Sequence, residues 1–159
     1  MKKRISIIIL IILTLIITIA LINNTEKDEN GLIYSIAIDE HFKDKENIII
    51  KSHEELKEYF KEGYLKNASS RVEEIIEAYN SEFFENNNLA IIYEKTGNIS
   101  TMFKYIKCNV KGTNAKITYQ IISPKGGSPD VFVPRDIFIV VKIPKEVTSI
   151  SENLIYKYK

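Results

Sequence analysis

A long, uncharged and mostly apolar run near the N-terminus constrains this chain more than any other feature of its sequence. Residues 5–22 contain no charged side chain, and the only polar ones are Ser6, Thr14 and Thr18. As a helix the run is about 27 Å long, close to the thickness of a bilayer's hydrocarbon core, about 30 Å. Lipid offers no partners to backbone polar groups, and a helix satisfies them internally. The run therefore predicts a transmembrane helix.

The charges beside this run predict its orientation. Lys2, Lys3 and Arg4 precede it, whereas acidic and basic side chains are mixed after it. Cationic flanks stay in the cytoplasm, so we expect a single-pass cell-membrane protein with its N-terminus inside and its C-terminus outside. The alternative is a signal peptide cleaved near Ala20, which would make the remaining chain a secreted protein.

This topology divides the 159 residues into three segments. Residues 1–23 are a cytoplasmic tip and transmembrane signal-anchor, residues 24–31 are a linker, and residues 32–159 are an extracytoplasmic domain. The outer segment is long enough to bury one hydrophobic core. Cys108 is the only cysteine, so no intrachain disulfide can form, and its place in an alternating stretch predicts a small core residue.

Residues 52–88 follow a helical period. Ser52 and Glu55 have the spacing of a capping box, and so do Ser70 and Glu73. Apolar side chains then recur three and four residues apart, which predicts amphipathic helices over residues 53–62 and 71–79. A short last turn follows, in which Asn80 or Ser81 is the cap and the apolar residues are Phe83 and Phe84.

The rest of the outer segment has a period of two, typical of strands. We expect strands over residues 32–38, 48–50, 89–94, 101–111, 115–123, 136–143 and 153–158, with a turn over residues 95–98. In the fourth of these, Met102, Ile106, Cys108 and Val110 should share one face. The prediction is an α+β domain: an antiparallel sheet centred on residues 89–94 and 137–143, with two amphipathic helices packed on it.

The sequence contains no pattern typical of a catalytic, cofactor or metal site. A zinc-binding helix that begins with His53 needs a second histidine at position 57, which is Lys57. No nucleophile elbow is present, and nothing selects a pair of carboxylates. We therefore predict a protein that is not an enzyme and needs no cofactor. A net charge of +1 also argues against nucleic acid as a partner.

Charge is distributed unevenly along the outer segment. Residues 24–88 carry 8 basic and 16 acidic side chains, a net charge of −8, whereas residues 89–159 carry 11 basic and 5 acidic side chains, a net charge of +6. One interpretation is that solvated helix faces carry Glu and solvated strand faces carry Lys. The other is a charged face that binds a partner.

Residues 124–134 form a Pro/Gly-rich segment that we predict to be a loop projecting from the sheet edge. Its candidate partner-binding residues are Lys125, Gly126, Gly127, Asp130, Phe132 and Arg135. If the Phe132 ring is exposed, Phe132→Ala should leave the melting temperature nearly unchanged and weaken the capture of a partner protein. If the ring folds back onto the core, the same substitution should destabilise the domain.

The apolar run from Leu89 to Tyr93, the turn at Thr96 and Gly97, two alternating strands, Pro124 and the motif at residues 141–145 together resemble a known arrangement. It is similar to the C-terminal domain of the B-type subunits of bacterial protease complexes and of related membrane-anchored proteins of low-GC Gram-positive bacteria, over roughly residues 48–146. The family's Thr-Gly-Gly turn is here Thr-Gly-Asn. The resemblance implies an extracytoplasmic, non-catalytic, β-rich module that in some cases is associated with a surface protease.

These observations lead to one main hypothesis and two alternatives. The main hypothesis is a membrane-anchored, extracytoplasmic protein-interaction module, held in the membrane by residues 5–22. One alternative is an inhibitor that presents residues 95–99 and 124–134 to a protease cleft. The other is a small hydrolase that uses carboxylates.

Overall fold

Seven strands and three helices make up the part of the chain that the structure describes. This computed structural model describes residues 30–37, 46–61, 69–98, 100–125 and 132–159. In chain order the elements are β1 (Gly31–Ala37), β2 (Ile48–Ile50), α1 (His53–Lys61), α2 (Ser69–Ala78), α3 (Ser81–Asn86), β3 (Asn87–Asn98), β4 (Met102–Lys111), β5 (Asn114–Ser123), β6 (Phe132–Pro144) and β7 (Ser149–Tyr158). The fold is mixed α+β with mostly antiparallel strands, as predicted.

The predicted transmembrane segment, residues 5–22, lies outside the described residues. Among those that are described, no helix is both long enough and apolar enough to cross a bilayer. Of the predicted linker, residues 24–31, the structure describes Asn30 and Gly31, and Gly31 already belongs to β1.

Strands β3 and β6 form the middle of a four-stranded sheet, which we call the central sheet. Its strand order is β1-β6-β3-β2, and every neighbouring pair is antiparallel. Ile91 lies opposite Val140 and Ile92 lies opposite Ile139, and all four side chains are fully buried. The prediction that residues 89–94 and 137–143 lie at the centre of an antiparallel sheet is confirmed. Such apolar strands need cover on both faces.

The helices cover one face of the central sheet, and α1 starts at the predicted cap. The Oγ of Ser52 accepts a hydrogen bond from the backbone N–H of Glu55 at 3.1 Å. The carboxylate of Glu55 accepts from the backbone N–H of Lys51 at 2.7 Å, one residue earlier than a standard capping box. The side chain of Ser70 lies outside the described part, so the second capping box stays a prediction.

The helix layer and the central sheet enclose the first of two hydrophobic cores. Leu56 and Phe60 of α1 and Val72 and Ile75 of α2 are fully buried there, against Leu89, Ile91, Phe138 and Val140 of the sheet. The rings of Phe60 and Phe138 meet edge to face, with 5.2 Å between their centroids. The apolar stripes predicted on both helices therefore face the sheet, as expected.

The other face of the central sheet is covered by a second sheet, which corrects the prediction of a single one. This outer sheet has the order β4-β5-β7. The β5 residues Ile117 and Tyr119 are fully buried against Ile92 and Ile139 in the second core. The physical reason is that β3 and β6 are apolar on both faces while the helices cover only one. The inward faces of the amphipathic strands β4, β5 and β7 cover the other.

Strand β7 runs parallel to β5, which corrects the prediction of a wholly antiparallel arrangement. Strands β4 and β5 are joined by a two-residue turn in which Gly112 has a φ of +59°, and a hairpin of this kind enforces antiparallel pairing. Between β5 and β7 the chain instead passes through β6 in the central sheet. Strand β6 thus serves as the crossover that a parallel pair requires.

A β-bulge in β4 overturns the predicted common face of Met102, Ile106, Cys108 and Val110. Tyr105 lies opposite Tyr119 and Lys107 lies opposite Thr118, so Ile106 is an extra residue without a cross-strand partner. Before the bulge Phe103 and Tyr105 pack inward, and after it Cys108 does. Met102 consequently points outward and is 54% exposed, because one inserted residue reverses the alternation of faces.

Strands β3 and β6 are longer than predicted at the end near the Pro/Gly-rich segment. Residues 95–98, predicted to form a turn, continue β3, and Asn98 lies opposite Phe132. The register shifts between Thr96 and Asn98, opposite the stretch of β6 that contains Pro134. Proline is tolerated in a strand at such an irregularity. The loop is therefore shorter than the predicted residues 124–134.

Candidate functional site

The residues predicted to form a partner-binding loop do not form one continuous described surface. Gly126, Gly127 and Asp130 lie outside the described residues. Lys125 is exposed, and its backbone N–H donates to the carbonyl of Lys159 at 2.6 Å. Phe132 is the first residue of β6; its side chain is outside the described part, so the exposure of its ring stays a prediction.

Arg135 lies within a strand and not at the rim of a loop. Its Nη2 donates to the carbonyl of Asn98 at 3.0 Å and to that of Thr101 at 3.3 Å, and its Nη1 lies 3.4 Å from the Oγ of Ser35. These bonds tie β6 to β1 and to the connection between β3 and β4. The half-buried guanidinium thus closes one end of the central sheet, and its role in partner binding stays a prediction.

Two exposed tyrosines at the end of β7 lie beside the start of the Pro/Gly-rich segment, residues 124–134. Tyr156 is 64% exposed and Tyr158 is 67% exposed. Tyr158 pairs with Ser123, and the backbone N–H of Lys159 donates to the carbonyl of Ser123 at 3.0 Å. Sequence reasoning missed this pair, although two tyrosines two residues apart at the end of a strand must share one face. We call Tyr156 and Tyr158 the aromatic edge.

A polar cluster joins the two sheets at Tyr119. The phenolic O–H of this buried residue lies 2.8 Å from Oε2 of Glu152 and also contacts Oε1 of Glu94. Asn47 donates from Nδ2 to Oε1 of Glu152, and its Oδ1 accepts from the backbone N–H of Tyr93 at 2.7 Å. Burial first, and then the two carboxylates, raise the pKa of Tyr119, so the phenol stays protonated as a donor. The sequence offered no signal for this pairing of carboxylates.

A second polar group lies on the opposite face of the central sheet, under α1. Asp136 is fully buried, and its Oδ1 accepts a hydrogen bond from the Tyr93 hydroxyl at 2.8 Å. Burial, and then the charge of Asp136, raise the pKa of Tyr59. The hydroxyl of Tyr59 is 3.3 Å from the carbonyl of Glu46, to which it donates. These contacts tie α1 to the sheet with satisfied polar groups.

The histidines form no metal site in the described structure. The Nδ1 of His53 lies 2.9 Å from the carbonyl of Tyr79. Because a carbonyl only accepts, Nδ1 carries the proton and the ring links α1 to the end of α2. Within the described ranges no three His, Cys, Asp or Glu side chains are grouped so that they could hold a metal ion; His41 lies outside those ranges.

An open pocket lies where β1 begins. It encloses about 210 Å³ and is lined by Asn30, Asn87, Cys108, Val110, Lys142, Ile143 and Pro144. The backbone N–H of Lys142, a residue of β6, donates to the carbonyl of Asn30 at 2.8 Å, which holds the start of the domain against β6. Cys108 is half-buried and packs against the second core, so it lies at the margin of the core and not within it as predicted.

The uneven charge of the sequence becomes two oppositely charged surfaces. The outward face of the outer sheet carries five exposed lysines and, within the described residues, no acidic side chain: Lys104, Lys107, Lys111, Lys116 and Lys157. We call this surface the lysine face. At the other side of the molecule, the described residues of the three helices expose eight glutamates against three basic side chains.

Comparison with models of known protein families, with curated proteins and with solved structures finds no match to this chain.

Proposed function

We propose that this chain is a single-pass membrane protein whose outer domain binds a protein partner outside the cytoplasm. Residues 5–22 act as the anchor, and residues 32–159 form the binding module. The uncharged apolar run and the three cations before it support this topology. The chain acts by binding and not by catalysis.

The aromatic edge is the observation that carries this proposal. Tyr156 and Tyr158 are both about two-thirds exposed, on a strand with β5 as its only neighbour among the described residues. Exposed tyrosines are enriched at protein interfaces, where their rings supply contact area with little loss of conformational freedom. The free edge of β7 also offers backbone donors and acceptors with which a strand of a partner can pair.

A surface protease is the class of partner that the family resemblance favours. The resemblance runs over the helices and strands of residues 48–146, and in that family some members are associated with a protease. The inhibitor alternative is weaker, because residues 95–98, one of its two presented loops, belong to β3 and pair with β6. We therefore favour association with a protease complex over insertion into its cleft.

The topology is tested by protease treatment of intact cells that produce the full chain. A non-permeant protease should cleave the outer domain or its linker, because the proposed topology places both outside the cell. A tag at the N-terminus should stay protected until the cells are lysed. Protection of the outer domain in whole cells would overturn the proposed orientation.

The binding surface is tested by photo-crosslinking in the same cells. A photoreactive phenylalanine analogue replaces Tyr158, and in a matched control it replaces the exposed helix residue Glu77. We expect a discrete adduct with one protein from position 158 and none from position 77. Equal adducts from both positions, or none from either, would contradict a partner at the aromatic edge.

A further inference from the structure

We propose that the lysine face rests on the headgroups of anionic lipids in the membrane that holds the anchor. The inference depends on the proposed function in one respect, namely that residues 5–22 span the bilayer. The occupant is a lipid surface that contains anionic headgroups.

The placement of the lysines follows from the strand registers. On β4, the bulge at Ile106 sets Lys107 and Lys111 on the outward face, and Lys104 precedes the bulge on that face too. Lys116 of β5 lies opposite Asn109, between Lys107 and Lys111, and Lys157 of β7 pairs with Ile122. None of the five forms an ion pair or a side-chain hydrogen bond with a described residue. Within the described ranges, nothing therefore neutralises their charge toward an external anion.

Exposed apolar side chains accompany the lysines. Met102, 54% exposed, and Ile155, 40% exposed, share the outward face with them. A flat face that mixes lysines with a few apolar side chains suits the boundary between headgroups and acyl chains. A surface that binds only a soluble polyanion gains nothing from exposed Met and Ile.

The position at which the chain enters the domain brings strand β4 close to the anchor. Asn30 lines a pocket with Cys108 and Val110 of β4. A Cβ added to Gly31 would lie 2.6 Å from the ring of Tyr105, so β1 starts in close contact with β4. Asn30 follows the anchor by eight positions, a stretch that reaches at most about 27 Å when fully extended. Strand β4, which carries three of the five lysines, thus lies next to the segment that joins the domain to the anchor.

The charge on the opposite side of the molecule favours the same orientation. The exposed glutamates of the helix layer are separated from the lysine face by the central sheet. Near an anionic surface, such a charge distribution turns the basic face toward the membrane and the acidic face away from it. The helix layer then faces the solvent.

Acylation of lysines in lipid nanodiscs tests the proposal with the full-length protein. One sample uses phosphatidylcholine alone, and the other adds phosphatidylglycerol; a water-soluble reagent labels the amines and mass spectrometry gives the rate at each lysine. We expect labelling of the lysine face to slow about fivefold or more in the anionic discs. Lys51, Lys57 and Lys61, on the side of the helix layer, should react equally in both. High salt should remove the difference, because it screens exposed charges.

Two triple variants distinguish an effect of the lysine face from a general effect of positive charge on the protein. Exchanging Lys104, Lys107 and Lys111 together for Gln should abolish the protection of Lys116 and Lys157. Exchanging Lys51, Lys57 and Lys61 for Gln, which removes the same charge, should preserve it. Circular dichroism of both variants verifies that each is folded, so a loss of protection reports on binding.

Each outcome bears on a different part of the proposal. Equal labelling in both lipid compositions would overturn the docking of the lysine face and leave the anchor intact. Failure of the protein to co-purify with phosphatidylcholine discs at high salt would overturn the anchor, and with it the docking. If polyphosphate or single-stranded DNA protects these lysines in phosphatidylcholine discs while anionic lipid does not, the face binds a soluble polyanion and the proposal is wrong.

Discussion

Tyr119 shows how a single side chain joins both sheets. Its phenol contacts Glu94 of β3 and Glu152 of β7, although one hydroxyl carries only one proton to donate. Glu152 has Asn47 as a second donor, while Glu94 remains half-buried beside the phenol. The hydroxyl therefore offsets part of the cost of holding two carboxylates near each other between the sheets.

Removal of this hydroxyl should destabilise the domain. We expect Tyr119→Phe to lower the free energy of unfolding by about 1–3 kcal/mol, because the carboxylates lose a shared donor while the ring keeps its packing. Tyr156→Phe is the matched control, since it removes a hydroxyl from an exposed ring and should change stability by less than about 0.5 kcal/mol. Urea unfolding of the full-length protein in mild detergent, followed by circular dichroism, measures both. Equal effects of the two substitutions would show that the cluster contributes nothing.

At the scale of elements, α3 depends on its cap because it has only six residues. The Oδ1 of Asn80 accepts a hydrogen bond from the backbone N–H of Phe83 at 3.1 Å. The helix buries Phe84 in the first core and sets the ring of Phe83 edge to face against Tyr79, with 4.9 Å between centroids. At the other end β3 starts directly, with Asn87 in an extended conformation. A short helix with so few internal bonds relies on these contacts.

Loss of the Asn80 cap should therefore be measurable. Asn80→Ala should lower the free energy of unfolding by about 1 kcal/mol, because it leaves a backbone donor of the first turn without its partner. Asn80→Asp keeps an acceptor oxygen and should retain most of the stability. The same urea titration compares the three proteins, and a loss with Asp as large as with Ala would argue against the capping role.

Across the whole molecule, buried tyrosines link the helix layer, the central sheet and the outer sheet. Burial is the main cause of the raised pKa of Tyr34, Tyr59, Tyr79 and Tyr119. A raised folded-state pKa contributes stability that is fully present below the unfolded value of about 10 and is lost as pH rises toward the folded value. All layers should therefore lose stability together in alkali.

We expect the free energy of unfolding to fall as pH rises from 10 to 12, because these tyrosines ionise in the unfolded chain while burial still disfavours their ionised form in the folded one. Urea midpoints at several pH values in this range give the slope. Tyr119→Phe removes one of the four ionisable tyrosines and should therefore make the fall of the free energy of unfolding with pH less steep. A stability that stays constant up to pH 12 would contradict the alkaline linkage.

Local patterns in the sequence determined the elements and the middle of the central sheet. The caps at Ser52 and Asn80 depend on residues three positions apart, and the apolar runs of β3 and β6 follow from their own composition. Such interactions involve residues that are close together in the chain, so a local sequence pattern is enough to predict them. The same patterns predicted the α+β class, the cover of one sheet face by helices, and an uneven charge that the fold then separates into two surfaces.

Only the tertiary structure decided how the strands combine. The bulge at Ile106, the parallel direction of β7 and the two-sheet arrangement depend on pairing between strands far apart in the chain, and a shift of one residue reverses every face. Glu94 and Glu152 meet at Tyr119 from 25 and 33 residues away, and Arg135 bonds to Asn98 across 37. Such contacts leave no periodic trace in the sequence, because each residue's neighbours are set by how the two sheets stack.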